Sequence, residues 1–187
     1  MRKKFLRLPI LLCLLFVGSL FAQTAAPAKK SWALPNMDSL YRGKPYVDFS
    51  LKSLAGELYN NNNCKGSVTL LFFWFESCVG CREEFREVNE FYDSLKNDKG
   101  VRLIAVTFEN ERELPGFIDK YHLKYPIATT GDMDKFAKLK YGMGCPSSIV
   151  LDKDGKIAFI DMKALTRTGG TRDFTIPNVI AKVRAME

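Results

Sequence analysis

Phe72-Phe73-Trp74-Phe75-Glu76-Ser77-Cys78-Val79-Gly80-Cys81-Arg82-Glu83-Glu84-Phe85 is the stretch that decides the fold. The apolar run from Val68 to Phe75 is rich in β-formers and too short to span a membrane, so it predicts a buried strand. Beyond it, Phe85, Val88, Phe91, Tyr92 and Leu95 recur at helical spacing. The two cysteines fall between, which puts Cys78 at or just before the first helical turn and Cys81 about one turn further in. A first turn carries unpaired N–H groups and the positive end of the helix dipole, and both favour a thiolate over a thiol. A Cys-x-x-Cys pair on a strand-to-helix junction is therefore suited to reversible dithiol chemistry.

Outward from that stretch the order is strand, helix, strand, helix, hairpin, helix. Val101 to Phe108 predicts a second buried, parallel strand. Leu114, Phe117, Ile118 and Tyr121 mark a helical face, with Pro115 confined to a first turn. A short strand is expected at Tyr125 to Ala128, and a short helix through Met133, Phe136 and Leu139 ends before Gly142. Ser147 to Leu151 and Lys156 to Asp161 flank the turn Asp152-Lys153-Asp154-Gly155 and form a hairpin. Ile176, Val179, Ile180 and Val183 predict a final helix, with Thr175 as its cap and Pro177 in its first turn. On the N-terminal side, Pro45 to Leu51 and Glu57 to Tyr59 read as two short strands joined at Gly56, and Asn60 to Asn63 reads as a polar loop, not a helix. This alternation is an α/β sheet covered by helices with right-handed crossovers.

The chain of 187 residues is long enough for one ordinary domain. Its first segment reads as a signal peptide over residues 1–22: a basic start with Arg2, Lys3, Lys4 and Arg7, then an apolar run from Ile10 to Phe21. An uncleaved N-terminal anchor is the alternative. Cys13 has no small residue before it and is not expected to carry lipid. Residues 23–42, rich in Ala, Pro, Lys and Ser, read as a linker, and 43–187 as the domain. Removal of residues 1–22 lowers the formal net charge from +7 to +3, too weak and dispersed to argue for nucleic acid or a membrane surface. Export exposes Cys64, Cys78, Cys81 and Cys145 to conditions in which disulfides persist.

Trp74, Cys78-Val79-Gly80-Cys81 and Tyr141-Gly142-Met143-Gly144-Cys145-Pro146, with the element order, resemble the TlpA/ResA-like extracytoplasmic thioredoxins over residues 43 to 187. The resemblance implies a thioredoxin-like fold: a central mixed sheet flanked by helices, with an added N-terminal β-hairpin. It also implies that Pro146 is cis and lies beside the cysteines, and that Glu84 occupies an acidic position near the active site. Function follows as a thiol–disulfide oxidoreductase of the cell envelope that reduces protein disulfides, as in cytochrome c maturation, fed by a membrane electron donor. No cofactor beyond the Cys78–Cys81 disulfide is implied, and a monomer is expected. Three positions depart from the family pattern: Val79-Gly80 lacks the proline common in second place, Cys145 replaces the usual Thr, Ile or Val, and Phe75-Glu76-Ser77 replaces a small or Trp-containing lead-in.

In the expected chemistry Cys78 is the exposed attacking thiolate and Cys81 the resolving thiol, with Trp74, Val79, Gly80 and Cys145 as the substrate-binding surface. Glu84, one turn beyond Cys81, reads equally as a proton acceptor or donor for the thiols and as a solvated first-turn acid. Cys145 reads as an alternative disulfide partner or, more simply, as a small apolar side chain. Cys64 is separated from the pair by a strand of over about 20 Å, too far for a disulfide, and reads as a bystander or an intermolecular thiol. No metal site is expected: zinc would need four ligands, and the chain has one histidine, His122, at a surface or helix end, and no second Cys-x-x-Cys. The competing activities are an oxidase or isomerase with the same site, a peroxiredoxin-like peroxidase, which would need Thr where Phe75 stands, and copper delivery, which would need a wider cysteine spacing.

Overall fold

The computed structural model describes residues 36–161 and 176–185. The signal segment, Cys13, most of the linker and the Thr175 cap lie outside these residues.

Strand β3 (Val68–Phe73) is the centre of a five-stranded sheet of order β5-β4-β3-β6-β7. It pairs in parallel with β4 (Val101–Thr107) and antiparallel with β6 (Ser147–Leu151). The sheet is therefore mixed. Strand β5 (Ile127–Thr129) adds in parallel to β4, and β7 (Ile157–Asp161) closes the hairpin with β6. Both faces of β3 are covered, and its side chains alternate between two cores. Val68, Leu70 and Phe72 join the cluster under α3 (Val79–Ser94), with Phe85, Val88, Leu103 and Val150. Leu71 and Phe73 join the opposite cluster, with Ile104, Val106, Ile149, Phe136 and Met143. The run from Val68, apolar except at Thr69, is what a doubly covered strand requires. Helices α4 (Leu114–Tyr121), α5 (Met133–Leu139) and α6 (Ile176–Ala185) complete the layers.

The long-period elements form as the sequence implies, with Pro115 in the first turn of α4 and His122 at its C-cap in the left-handed region at φ 53°. The β6–β7 turn closes with the Gly155 N–H donating to the Asp152 carbonyl (3.0 Å) at φ +80°. Differences arise where side chains replace the backbone as partners. The first strand, expected from Pro45, begins only at Ser50: β1 is Ser50–Lys52, paired with β2 (Leu58–Asn60). Before it, the Phe49 N–H donates to Asn61 Oδ1 and Asn61 Nδ2 donates to the Val47 carbonyl, while the Tyr46 N–H donates to the Gly155 carbonyl (3.1 Å) and Pro45 bridges Lys156. That segment is held by one side chain and by the residues leading into β7 instead of by β2.

The expected loop at Asn60–Asn63 is corrected to one helical turn, α2 (Asn61–Cys64). Asn60 Oδ1 accepts from the N–H groups of Asn62 and Asn63 (2.9 Å each), and Asn63 Oδ1 accepts from the Asn60 N–H (2.8 Å). This reciprocal cap satisfies the orphan donors of a turn that composition disfavours. Within the segment read as linker, α1 (Met37–Tyr41) is helical, capped by Asn36 and tied to β7 by the Ile160 N–H donating to Asp38 Oδ1 (3.2 Å). Strand β5 starts two residues later than expected, where Pro126 gives only its carbonyl, to Ala105.

Candidate active site

The chain leaves β3 at the carboxyl end of the central parallel strands, where α/β sheets place ligands. Cys78 is the N-cap of α3 in an extended conformation, and its Sγ accepts from the Cys81 N–H at 3.1 Å. Cys78 and Cys81 form a disulfide with their Cα atoms 5.3 Å apart. In the reduced state the same N–H and the helix dipole favour a thiolate at Cys78.

Accessibility at this junction differs from the sequence expectation. Cys78 is only 6% exposed and Cys81 0%, so in the disulfide form the attacking sulfur is recessed; Ser77 and Val79, the latter at 61%, are the exposed residues on either side of Cys78. Trp74 is corrected from a substrate-binding side chain to a core one. It is 0% exposed, stacked on Phe117 (5.3 Å) and edge-on to Phe85 (5.3 Å), with Nε1 lacking a hydrogen-bond partner. The strand alternation that sends Leu70 and Phe72 under α3 sends Trp74 there too.

Gly80 faces Pro146. A Cβ at position 80 would lie 3.3 Å from Pro146 Cδ, and the Cys145–Pro146 bond is cis. Cys145 is half-buried, a free thiol that packs against both core clusters, and burial pushes its pKa up to about 11. It is thus a protonated thiol near neutral pH.

Glu84 is 3% exposed, which removes the solvated-acid alternative. Its charge acts on the phenol of Tyr125, whose ionisation is pushed far up by burial first and Glu84 second. A second acidic feature went unread in the sequence. The Glu76 N–H donates to Glu109 Oε1 (3.0 Å), tying the loop before Cys78 to the loop after β4. Partial burial, then Glu109 and Glu113, raise the Glu76 carboxyl pKa above its ordinary value. Beside this link, Phe75 packs on Phe108 at 6.0 Å. The only sequence signal was the position of both loops at the ends of adjacent parallel strands.

Cys64 stands apart from the site, as expected, and is a free thiol buried at 4% exposure in the opposite core cluster. Among the described residues, no group of three or more His, Cys, Asp or Glu is arranged to hold a metal ion, and no helix is long and apolar enough to cross a membrane.

The architecture and the capped cysteine pair define a thioredoxin-like α/β protein. The AhpC/TSA family model matches residues 42–160, and the chain belongs to that family. It is 35% identical over 119 residues to the thiol-disulfide oxidoreductase ResA of Bacillus thuringiensis (strain Al Hakam), a match covering 62% of this chain and 66% of that protein. The chain thus matches just under two thirds of that relative's length. It is also 30% identical over 133 residues to the thioredoxin-like protein YneN of Bacillus subtilis (strain 168), covering 68% and 75% of the two chains. The crystal structure of StoA from Bacillus subtilis superposes with a TM-score of 0.54 at 27% identity, covering 62% of this chain and 87% of StoA.

Proposed function

We propose that this chain is a thiol–disulfide oxidoreductase of the cell envelope that reduces protein disulfides through Cys78 and Cys81. The observation that carries the proposal is the junction itself: Cys78 caps α3 and accepts the Cys81 N–H, with Pro146 against Gly80 at its flank. The ResA and StoA likenesses support the same chemistry.

In the reductive direction the Cys78 thiolate attacks a substrate disulfide, and one substrate sulfur leaves with the electron pair. Cys81 loses its proton to a base, for which Glu84 is the proposed acceptor, and its thiolate attacks Cys78 Sγ. The mixed disulfide breaks, the second substrate thiol is released, and Cys78 and Cys81 are left oxidised by two electrons. Val79 is the substrate-contacting side chain, with the backbone around Cys145 and Pro146 at its edge. An N-terminal signal and the persistence of disulfides outside the cytoplasm support an exported site of action, with electrons returned by a membrane donor and exported proteins, including those of cytochrome c maturation, as substrates. A peroxidase reading has less support, since Phe75 occupies the position that would need Thr.

The test is a pair of single variants. Cys81→Ala accumulates a mixed disulfide through Cys78 when offered an oxidised protein substrate, whereas Cys78→Ala accumulates none. Equal behaviour of the two variants would reject the assignment of roles.

A further inference from the structure

The buried stripe of α3 continues beyond Glu84. Glu84, Val88 and Tyr92 follow at four-residue intervals and share one side of the helix. Tyr92 meets the ring of Tyr125 edge-on at 6.5 Å. The segment leading to Tyr125 is fastened to the same helix by Asn89: its Nδ2 donates to the His122 carbonyl (2.9 Å), and its Oδ1 accepts from the Lys124 N–H (2.9 Å). Tyr125 is therefore held along α3 at 4% exposure, in the core cluster that contains Cys81.

Its hydroxyl has no hydrogen-bond partner. A buried hydroxyl left unpartnered is unfavourable, and a phenylalanine would fill the same apolar space without that penalty. The neighbouring buried acid is Glu84, close enough for its charge to oppose ionisation of the phenol. In the same cluster Trp74 Nε1 also lacks a hydrogen-bond partner, whereas the charged groups around this face and Tyr121 are engaged elsewhere or turned outward. Lys124 Nζ pairs with Asp93 (2.6 Å), Tyr121 packs its ring on Phe85 and Phe117, and Glu83 lies on the exposed side of α3.

We propose that Tyr125 is a positioning residue for Glu84: in the reduced enzyme its hydroxyl donates to the Glu84 carboxylate and sets the pH at which that carboxylate takes the Cys81 proton. The inference rests on the dithiol function proposed above and assigns its proton step a second residue. With the mixed disulfide on Cys78, the proton of the Cys81 thiol passes to Glu84, and the Tyr125 bond to the now neutral carboxyl loosens. The Cys81 thiolate attacks Cys78 Sγ, the bond to the substrate sulfur breaks, and its electron pair leaves with the substrate thiolate. A donor to the charged form lowers a carboxyl pKa, so the phenol keeps Glu84 ionised until Cys81 is ready to deliver its proton.

The experiment is a double-variant cycle on the reduced protein. The pH dependence of exchange with a small aromatic disulfide is measured for wild type, Tyr125→Phe, Glu84→Gln and the double variant, with thermal unfolding of each as a control. The Glu84 inflection is the one that Glu84→Gln removes. Tyr125→Phe is expected to move it upward by about one pH unit, the size of one hydrogen bond to a charged carboxyl, with no loss of thermal stability. In the Glu84→Gln background the same substitution is expected to change nothing. An unmoved inflection, or an equal effect in both backgrounds, overturns the role of Tyr125. If instead no variant or wild type exchanges disulfides, it is the dithiol function that fails.

Discussion

Gly80 and Pro146 pack closely enough that even a methyl group between them would be tight: a Cβ on Gly80 would come to 3.3 Å from Pro146 Cδ. The glycine lies between the two cysteines on α3, and the proline lies at the entrance to β6. The contact thus joins the redox turn to the strand that pairs with β3, and it accounts for a glycine at a helical position where it is intrinsically unfavourable.

Gly80→Ala separates these two effects. Alanine gains about 0.5–1 kcal/mol in helix preference, while Pro146 must yield by a few tenths of an ångström. Stability in a denaturant titration is expected to change by less than about 1 kcal/mol, because the two effects oppose each other. The rate of mixed-disulfide formation with a protein substrate is expected to fall, because the displaced proline packs on the glycine between the two cysteines. A large stability loss with an unchanged rate would show the contact to be purely structural.

Glu76 makes stability depend on pH in a stated direction. Its folded-state pKa is raised, so the folded protein binds more protons than the unfolded chain across the window between the two values. Stability contributed by this group is present below the unfolded value and is lost as pH rises through the folded one. Glu76→Gln is therefore expected to be more stable than wild type near neutral pH, with the difference shrinking as pH falls below the ordinary carboxylate range. Thermal unfolding across that range checks it, and a difference that grows on acidification would contradict it.

Cys145 provides a second pH signature. With its thiol pKa pushed up to about 11, little thiolate exists near neutral pH in the oxidised protein. Alkylation at Cys145 is expected to be slow there and to accelerate about tenfold per pH unit until it approaches that value. Peptide mapping after timed alkylation reads this directly. Rapid labelling near neutral pH would mean an activated thiol and would restore Cys145 as an alternative disulfide partner.

Much of the fold was legible because it depends on periodicity. The apolar run at Val68, the stripe through Phe85 and Phe91, and the Asp152–Gly155 turn each determine an element by local pattern. The elements that escaped depend on particular side chains. The turn Asn61–Cys64 exists because Asn60 and Asn63 cap each other, and α1 is fastened by Asp38 to a strand 122 residues away. The candidate site divides in the same way. Cys78 at the helix cap follows from spacing. Burial does not: Trp74 resembles a surface aromatic in a motif, and Glu84 a first-turn acid, until the packing of α3 against the sheet encloses both. Tyr125 carried no signal at all, since the segment leading to it is fastened to α3 by Asn89, which holds two of its backbone groups.

The central claim is that Cys78 and Cys81 form a reversible reductant, and the reduction potential of that couple tests it most directly. Oxidised protein is equilibrated in graded thiol–disulfide buffers, and the free Cys78 and Cys81 thiols are counted by mass after alkylation. A buried acid one turn from Cys81 disfavours thiolates and so favours a low potential. A single two-electron midpoint near that of thioredoxin, about −270 mV, is expected. A midpoint near that of a strong oxidant, about −120 mV, or the absence of any equilibrium between the pair and the buffer, would contradict the account.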